Sequence, residues 1–106
     1  MTAINFLEDT ISFMAKYNKT EHDVMFVKTK DNQCSFYQFK KLVKNFNYIN
    51  KFGCHKVNID LVVVGRGWWL ERKEYDGMEH WVYKEIPLPI KNTNTLDFKC
   101  DMCDYN

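Results

Sequence analysis

Apolar and polar positions change rhythm along this chain. The longest regular stretch is residues 61–89, LVVVGRGWWLERKEYDGMEHWVYKEIPLP. Much of it alternates with period two, the spacing of a strand that turns one face inward. Residues 61–64 are a short apolar run, and Gly65-Arg66-Gly67 turns the chain. Residues 68–75 run out and residues 78–85 run back. Asp76-Gly77 joins them, a pair that tolerates the positive φ a type I′ turn demands at both central positions. Pro87 and Pro89 stop the last strand, because proline has no N–H for a ladder. The stretch predicts two β-hairpins in series.

The turn also sets the pairing. A two-residue loop puts Tyr75 opposite Met78, Arg72 opposite Trp81 and Leu70 opposite Tyr83. One face then carries Trp68, Leu70, Arg72, Trp81 and Tyr83, with Glu74 and Glu79 near the tip. It reads as core away from the tip, with Arg72 stacked on Trp81. The other face carries Trp69, Glu71, Lys73, Tyr75, Met78, His80, Val82 and Lys84, a mixture that suits half-exposure. If Arg66-Gly67 is the loop of the first hairpin, Ile59, Leu61 and Val63 join Trp68 and Trp81. A slip of one residue would invert every side chain, and this register gives the cleaner core.

Earlier in the chain the rhythm is helical. Ile4, Leu7, Ile11 and Met14 recur at steps of three and four, predicting a helix over residues 3–17 with Phe6 and Phe13 beside the stripe and Thr2 as cap. Residues 23–28, DVMFVK, predict a strand, and Lys30-Asp31-Asn32 a turn. Ser35 is a good N-cap for a second helix over residues 36–48, with Phe36, Phe39, Leu42, Val43, Phe46 and Ile49 as its apolar stripe. A second strand is expected over residues 57–64, and a short one at LDFK in the tail. This order predicts an α+β domain, with two helices packed on one face of a mostly antiparallel four- to five-stranded sheet.

The chain has 106 residues, which suits one domain with a modest core. Fifteen basic and fourteen acidic residues leave a net charge of +1. That argues against a DNA mimic, which would be strongly acidic, and gives little support for direct nucleic-acid binding. No signal peptide or membrane-spanning run is seen, so a cytosolic chain with reduced cysteines is expected.

The sharpest chemical signal is Cys100 and Cys103. Their C-x-x-C spacing lets one turn aim two thiolates at one tetrahedral ion. One pair is half a site, and Cys34, Cys54, His55, His80 and His22 are the other candidates. Cys34 and Cys54 flank the second helix, so they fall at its opposite ends, and Cys34 reads as a buried thiol. Cys54 and His55 enter the second strand beside the Asp76-Gly77 tip, near His80. The expected site is a structural zinc on Cys54, Cys100, Cys103 and a histidine, with His80 placed slightly ahead of His55. It would tie residues 90–106 to the domain. Two free thiols in a loose tail, or a redox pair, are the competing readings.

Glu71, Glu74, Asp76, Glu79 and Glu85 gather on the hairpin. They read as a solvated end near Arg72 and Lys73, or as a surface that accepts a basic residue from a partner. No nucleophile–base pair, phosphate loop or H-E-x-x-H motif is found, which disfavours an enzyme.

Residues 60–87, DLVVVGRGWWLERKEYDGMEHWVYKEIP, resemble a family of small phage and prophage proteins. Their pattern is an apolar strand, then G-x-x-W-W-L-E-R-x-E-Y-D-G-x-E-x-W, then a proline. The preceding FKKLVKNFNYINKFG resembles the helix and loop before it. Some small phage proteins of this look are anti-CRISPRs of type II-A systems. The resemblance implies a protein that binds a type II RNA-guided nuclease in the bacterial cytoplasm and stops it acting on target DNA, at the loading step. Cys54, Cys100 and Cys103 lie outside the shared pattern. The partner surface is expected on the outer face, at Trp69, Glu71, Tyr75 and Met78, unless the tail buries Trp69. A zinc-stabilised nucleic-acid-binding phage regulator, using Lys40, Lys41, Lys44, Lys51 and Lys56, is the alternative.

Overall fold

The computed structural model describes residues 3–49 and 56–99. In chain order the elements are β1 (Ile4–Asn5), α1 (Phe6–Ala15), β2 (Val24–Lys28), β3 (Gln33–Cys34), α2 (Phe36–Val43), β4 (Asn47–Tyr48), β5 (Val62–Gly65), β6 (Trp68–Tyr75) and β7 (Met78–Glu85). A single-turn 3-10 helix, Glu21–Asp23, precedes β2. The main sheet has five strands in the order β3-β2-β5-β6-β7, and β1 pairs with β4 apart from it. Every pairing among the described residues is antiparallel. Both helices bring apolar side chains to the same core as Val27, Val63, Leu70 and Trp81. This is an α+β fold with the helices on one face of the sheet.

The two hairpins form in the expected register. Tyr75 faces Met78, Arg72 faces Trp81 and Leu70 faces Tyr83. Asp76 has φ 53° and Gly77 φ 81°, the pair of positive values that a type I′ turn requires. Val63 faces Leu70 across the first hairpin, so Arg66-Gly67 is its loop. Gly65 allows the close approach of Trp68. A Cβ there would lie 2.1 Å from the indole Cε2, so any larger residue displaces the ring.

Aromatic rings fill the space under the sheet. Phe6 stacks on Trp81 with centroids 5.5 Å apart. It meets Phe39 edge-on at 6.0 Å and Tyr48 at 6.1 Å. The Trp81 indole N–H donates to Thr10 Oγ1 at 3.0 Å, and Thr10 donates in turn to the Phe6 carbonyl at 2.8 Å. A buried indole needs such an acceptor, which explains a threonine on the inward face of α1. Tyr17 stacks on Tyr83 at 4.1 Å, closing the far end of the same layer.

The structure corrects several boundaries. α1 begins at Phe6, capped by the Asn5 side chain, and its buried positions are Phe6, Thr10 and Met14. Ile11 is 40% exposed, because Thr10 turns its own flank of the helix toward Trp81. α2 stops at Val43, and residues 47–48 form β4 in place of further helix. The cause is distant in sequence: Asn5 Nδ2 donates to the Lys44 carbonyl and to Asn47 Oδ1, and the Phe6 N–H donates to the Phe46 carbonyl. Two asparagines, poor helix formers, make the exit easy. Leu42 is consequently 75% exposed, outside the core it was expected to join. Ser35 caps α2 as expected, in a reciprocal box with Gln38. The strand expected at residues 57–64 starts at Val62, after a turn that leaves Ile59 exposed. LDFK forms no strand: Leu96 and Phe98 are exposed.

Replacing Gly77 with valine should lower stability by about 1–2 kcal/mol, since a β-branched residue is strained at that φ. Thermal unfolding followed by circular dichroism reads this directly. An unchanged melting temperature would mean that the turn carries no such constraint.

Candidate functional site

The face of the sheet away from the helices is built by strict alternation. Across β6 and β7 its rows pair Trp69 with Lys84, Glu71 with Val82, Lys73 with His80, and Tyr75 with Met78. Six residues separate Trp69 from Tyr75, so the face runs about 20 Å along the strand. β5 continues the first two rows, with Val64 beside Trp69 and Val62 beside Glu71. Phe26 on β2 lies beside Val64.

Polar contacts organise the Trp69 end. The Trp69 Nε1–H donates to Glu71 Oε2 at 2.8 Å. The other carboxylate oxygen of Glu71 lies 3.6 Å from Lys84 Nζ and 4.0 Å from Lys73 Nζ. Glu71 thereby holds the indole in one orientation, with two cations beside it. Trp69 and Val82 are half-buried, whereas Tyr75 is 76% and Met78 39% exposed. The tail does not bury this face in the described residues: residues 86–99 are exposed throughout. All four residues expected to meet a partner thus share one face, in two clusters at its ends.

The inner face beneath carries a buried ion pair. Arg72 Nη2 donates to Glu79 Oε1 at 3.2 Å and to the Tyr48 hydroxyl at 3.4 Å. The side chains are 0% and 4% exposed. The guanidinium carbon lies 4.8 Å from the Trp81 ring centre and 5.3 Å from that of Phe6. The backbone N–H groups of Lys56 and Val57 also donate to Glu79, the latter at 3.0 Å. Arg72 Nε and Nη1 find no acceptor among the described residues, and the aromatic faces are the compensation present. Burial pushes the Asp9 carboxyl above its usual range, and the charge on Arg72 opposes that rise. Burial likewise raises Tyr48, against its hydrogen bond with Arg72. Glu79 is therefore not part of a solvated tip, the reading its sequence neighbours suggested. Glu74 opposite it stays exposed and accepts from the Gly77 N–H.

Of the proposed zinc ligands, Cys54, Cys100 and Cys103 lie outside the described residues, as does the alternative His55. His80 is described: it is exposed and stands on the outer face beside Lys73. Lys56, by contrast, meets Glu79 on the inner face. Among the described residues no group of three or more His, Cys, Asp or Glu is placed to hold a metal. Cys34 is a free, half-buried thiol.

Of the helix lysines, Lys41 and Lys44 are exposed and Lys40 is half-buried. Lys40 pairs with Glu21 at 2.8 Å, and Lys41 lies over the Tyr37 ring at 4.4 Å. One feature had no sequence signal: an apolar groove of about 370 Å³ between α2 and the β2–β3 hairpin, lined by Val27, Cys34, Phe39, Leu42, Val43 and Leu61 among others.

No helix among the described residues is long and apolar enough to cross a membrane. No family model, curated protein or solved structure matches this chain.

Arg72→Ala should destabilise the fold by about 3–5 kcal/mol, because it leaves the Glu79 carboxylate buried without its cation. Urea unfolding measures the change. A loss below about 1 kcal/mol would mean that Glu79 reaches water in the folded state.

Proposed function

We propose that this chain is a phage anti-CRISPR protein that binds a type II-A RNA-guided nuclease and blocks its action on target DNA, at the step of target-DNA loading. It would act in the cytoplasm of the bacterial host. The observation that carries the reading is the outer face. Glu71 holds the Trp69 indole and itself lies beside two lysines, and Tyr75 and Met78 stand exposed at the tip. An oriented aromatic ringed by charge is the composition of a binding hot spot. The residues that carry the resemblance to small phage proteins lie on this same hairpin. A near-neutral chain suits binding by shape and mixed charge better than imitation of a DNA duplex.

The assay is cleavage by the nuclease, guide and target, with the protein added before the DNA. Wild type should block cleavage. Trp69→Ala combined with Tyr75→Ala should relieve the block and keep the circular dichroism spectrum. No inhibition across several type II-A nucleases overturns the function. Equal inhibition by the double variant overturns the surface alone.

The second element of the proposal is a structural zinc on Cys54, Cys100, Cys103 and a histidine, which rests on the C-x-x-C spacing. His80, exposed on the outer face, is open to a ligand role. His55 is the alternative to it. Elemental analysis of protein prepared without chelator should find about one zinc per chain. Cys100→Ser with Cys103→Ser should lose it. Zinc-free wild type would sink this element and leave the binding face untouched.

A further inference from the structure

β7 forms one edge of the main sheet and is eight residues long, whereas β3 at the other edge has two. No described residue pairs with the outer side of β7, and an edge so left presents a row of unused backbone donors and acceptors. Which residues supply them follows from the hairpin. A two-residue loop makes Tyr75 and Met78 a hydrogen-bonded pair, and such pairs alternate along the ladder. The Ile86 N–H donates to the Gly67 carbonyl at 2.8 Å, which confirms that even-numbered residues of this strand bond toward β6. The N–H and C=O groups of Trp81, Tyr83 and Glu85 therefore point outward.

The same edge gathers exposed apolar side chains at both ends. Met78 and Tyr75 lie at the tip, 39% and 76% exposed. Past the other end, Ile86 is 59% exposed and Leu88 85% exposed. Exposed apolar groups concentrated along one element mark an interaction site.

We propose that this edge pairs with the same edge of a second copy of this chain, antiparallel about a two-fold axis at Val82, joining the two sheets. One operation satisfies both ends. With Val82 of one copy facing Val82 of the other, Ile86 falls opposite Met78, and the outer-face row Tyr75–Met78 gains Ile86 of the second copy. On the inner face Trp81 falls opposite Tyr83 twice, and these two exchange the backbone hydrogen bonds while their rings keep Phe6 and Tyr17 as partners. His80 meets Lys84, whose charge Glu71 already partners at 3.6 Å. Glu79 meets Glu85; Glu79 is neutralised by Arg72, and Glu85 accepts from the Tyr83 hydroxyl at 2.9 Å. Pairing ends where it must, because Pro87 has no N–H. A partner strand from another protein would match one end only by chance. Self-pairing matches both by symmetry, as isologous contacts do. An edge-to-edge junction falls at the small end of interface sizes, so the dimer should be concentration-dependent. Trp69 and Glu71 remain open in it, whereas the Tyr75–Met78 end is shared with the face proposed for the nuclease; the measurements below use the chain alone, so either reading can fail without the other.

Two measurements test it. Sedimentation of the unaltered chain over a wide concentration range should show a shift from 12.8 kDa toward twice that mass. Over the same range, exchange of the Trp81, Tyr83 and Glu85 amides should slow with rising concentration. Val82→Cys provides the register. The two Val82 positions form a non-hydrogen-bonded pair with Cα atoms about 4.5 Å apart, within disulfide reach. Under mild oxidant Val82→Cys should cross-link at least about tenfold faster than Lys73→Cys, a site one strand inward, or than the unaltered chain with its own cysteines. A monomer throughout, with no concentration effect on those amides, overturns the proposal. A dimer in which Val82→Cys links no faster than the controls overturns it too, since the junction then lies elsewhere. Partner capture with unchanged self-association would assign the edge to another protein, and equally refutes a second copy.

Discussion

The ion pair between Arg72 and Glu79 is where the parts of this fold meet. A buried guanidinium is tolerable only when its charge is matched and its plane is packed. Here Glu79 matches it, and the rings of Trp81 and Phe6 pack it. Tyr48 reaches it from β4, and the backbone of Lys56 and Val57 is gathered by the same carboxylate. The apolar core ends at Leu70 and Trp81, yet the hairpin continues for several residues. The pair extends the anchored region toward the tip. It also fixes the inner side of β6 and β7, so the side chains on the other side project from a held backbone.

What the residues reveal depends on how far away the deciding contact lies. The hairpins were legible because turn chemistry and alternation are both local. Asp76-Gly77 sets the loop, the loop sets the register, and the register sorts all sixteen residues of β6 and β7 by face. Helix α1 was half legible. Its period was plain, but the stripe was drawn through Ile4, Leu7 and Ile11. The true inward line runs through Thr10, and only the indole of Trp81, distant in sequence, makes a threonine belong there. The end of α2 was misplaced for the same reason, since Asn5 stops it from across the fold. Glu79 shows the limit most clearly. Beside Glu74 and Asp76 it reads as one more solvated acid, and nothing nearby announces that Arg72 and two backbone amides await it.

The outer face was the most readable part of the candidate site, because alternation alone assembles it. Alternation does not say which members stay open. The bond from Trp69 to Glu71 half-retires the indole into the sheet and leaves Tyr75 and Met78 as the more prominent pair. The two clusters differ in kind. One is hydrogen-bonded and charged, the other exposed and apolar. A partner reading both must present a surface some 20 Å long.

The Thr10–Trp81 hydrogen bond spans 71 residues of chain, and Phe6 stacks on that same tryptophan. Helix α1 is thus made first and finds its packing surface almost last. A ribosome releases the amino end well before the returning strand of the hairpin emerges. Through that interval Phe6 and Met14 have nothing permanent to rest against, and short helices are marginal alone in water. Completion of the domain therefore waits until β7 closes against β6 and offers its inner side. Non-local closure of this kind makes for slow folding. The tight turn at Asp76-Gly77 shortens that wait, because it lets β7 fold back on β6 as soon as both are free.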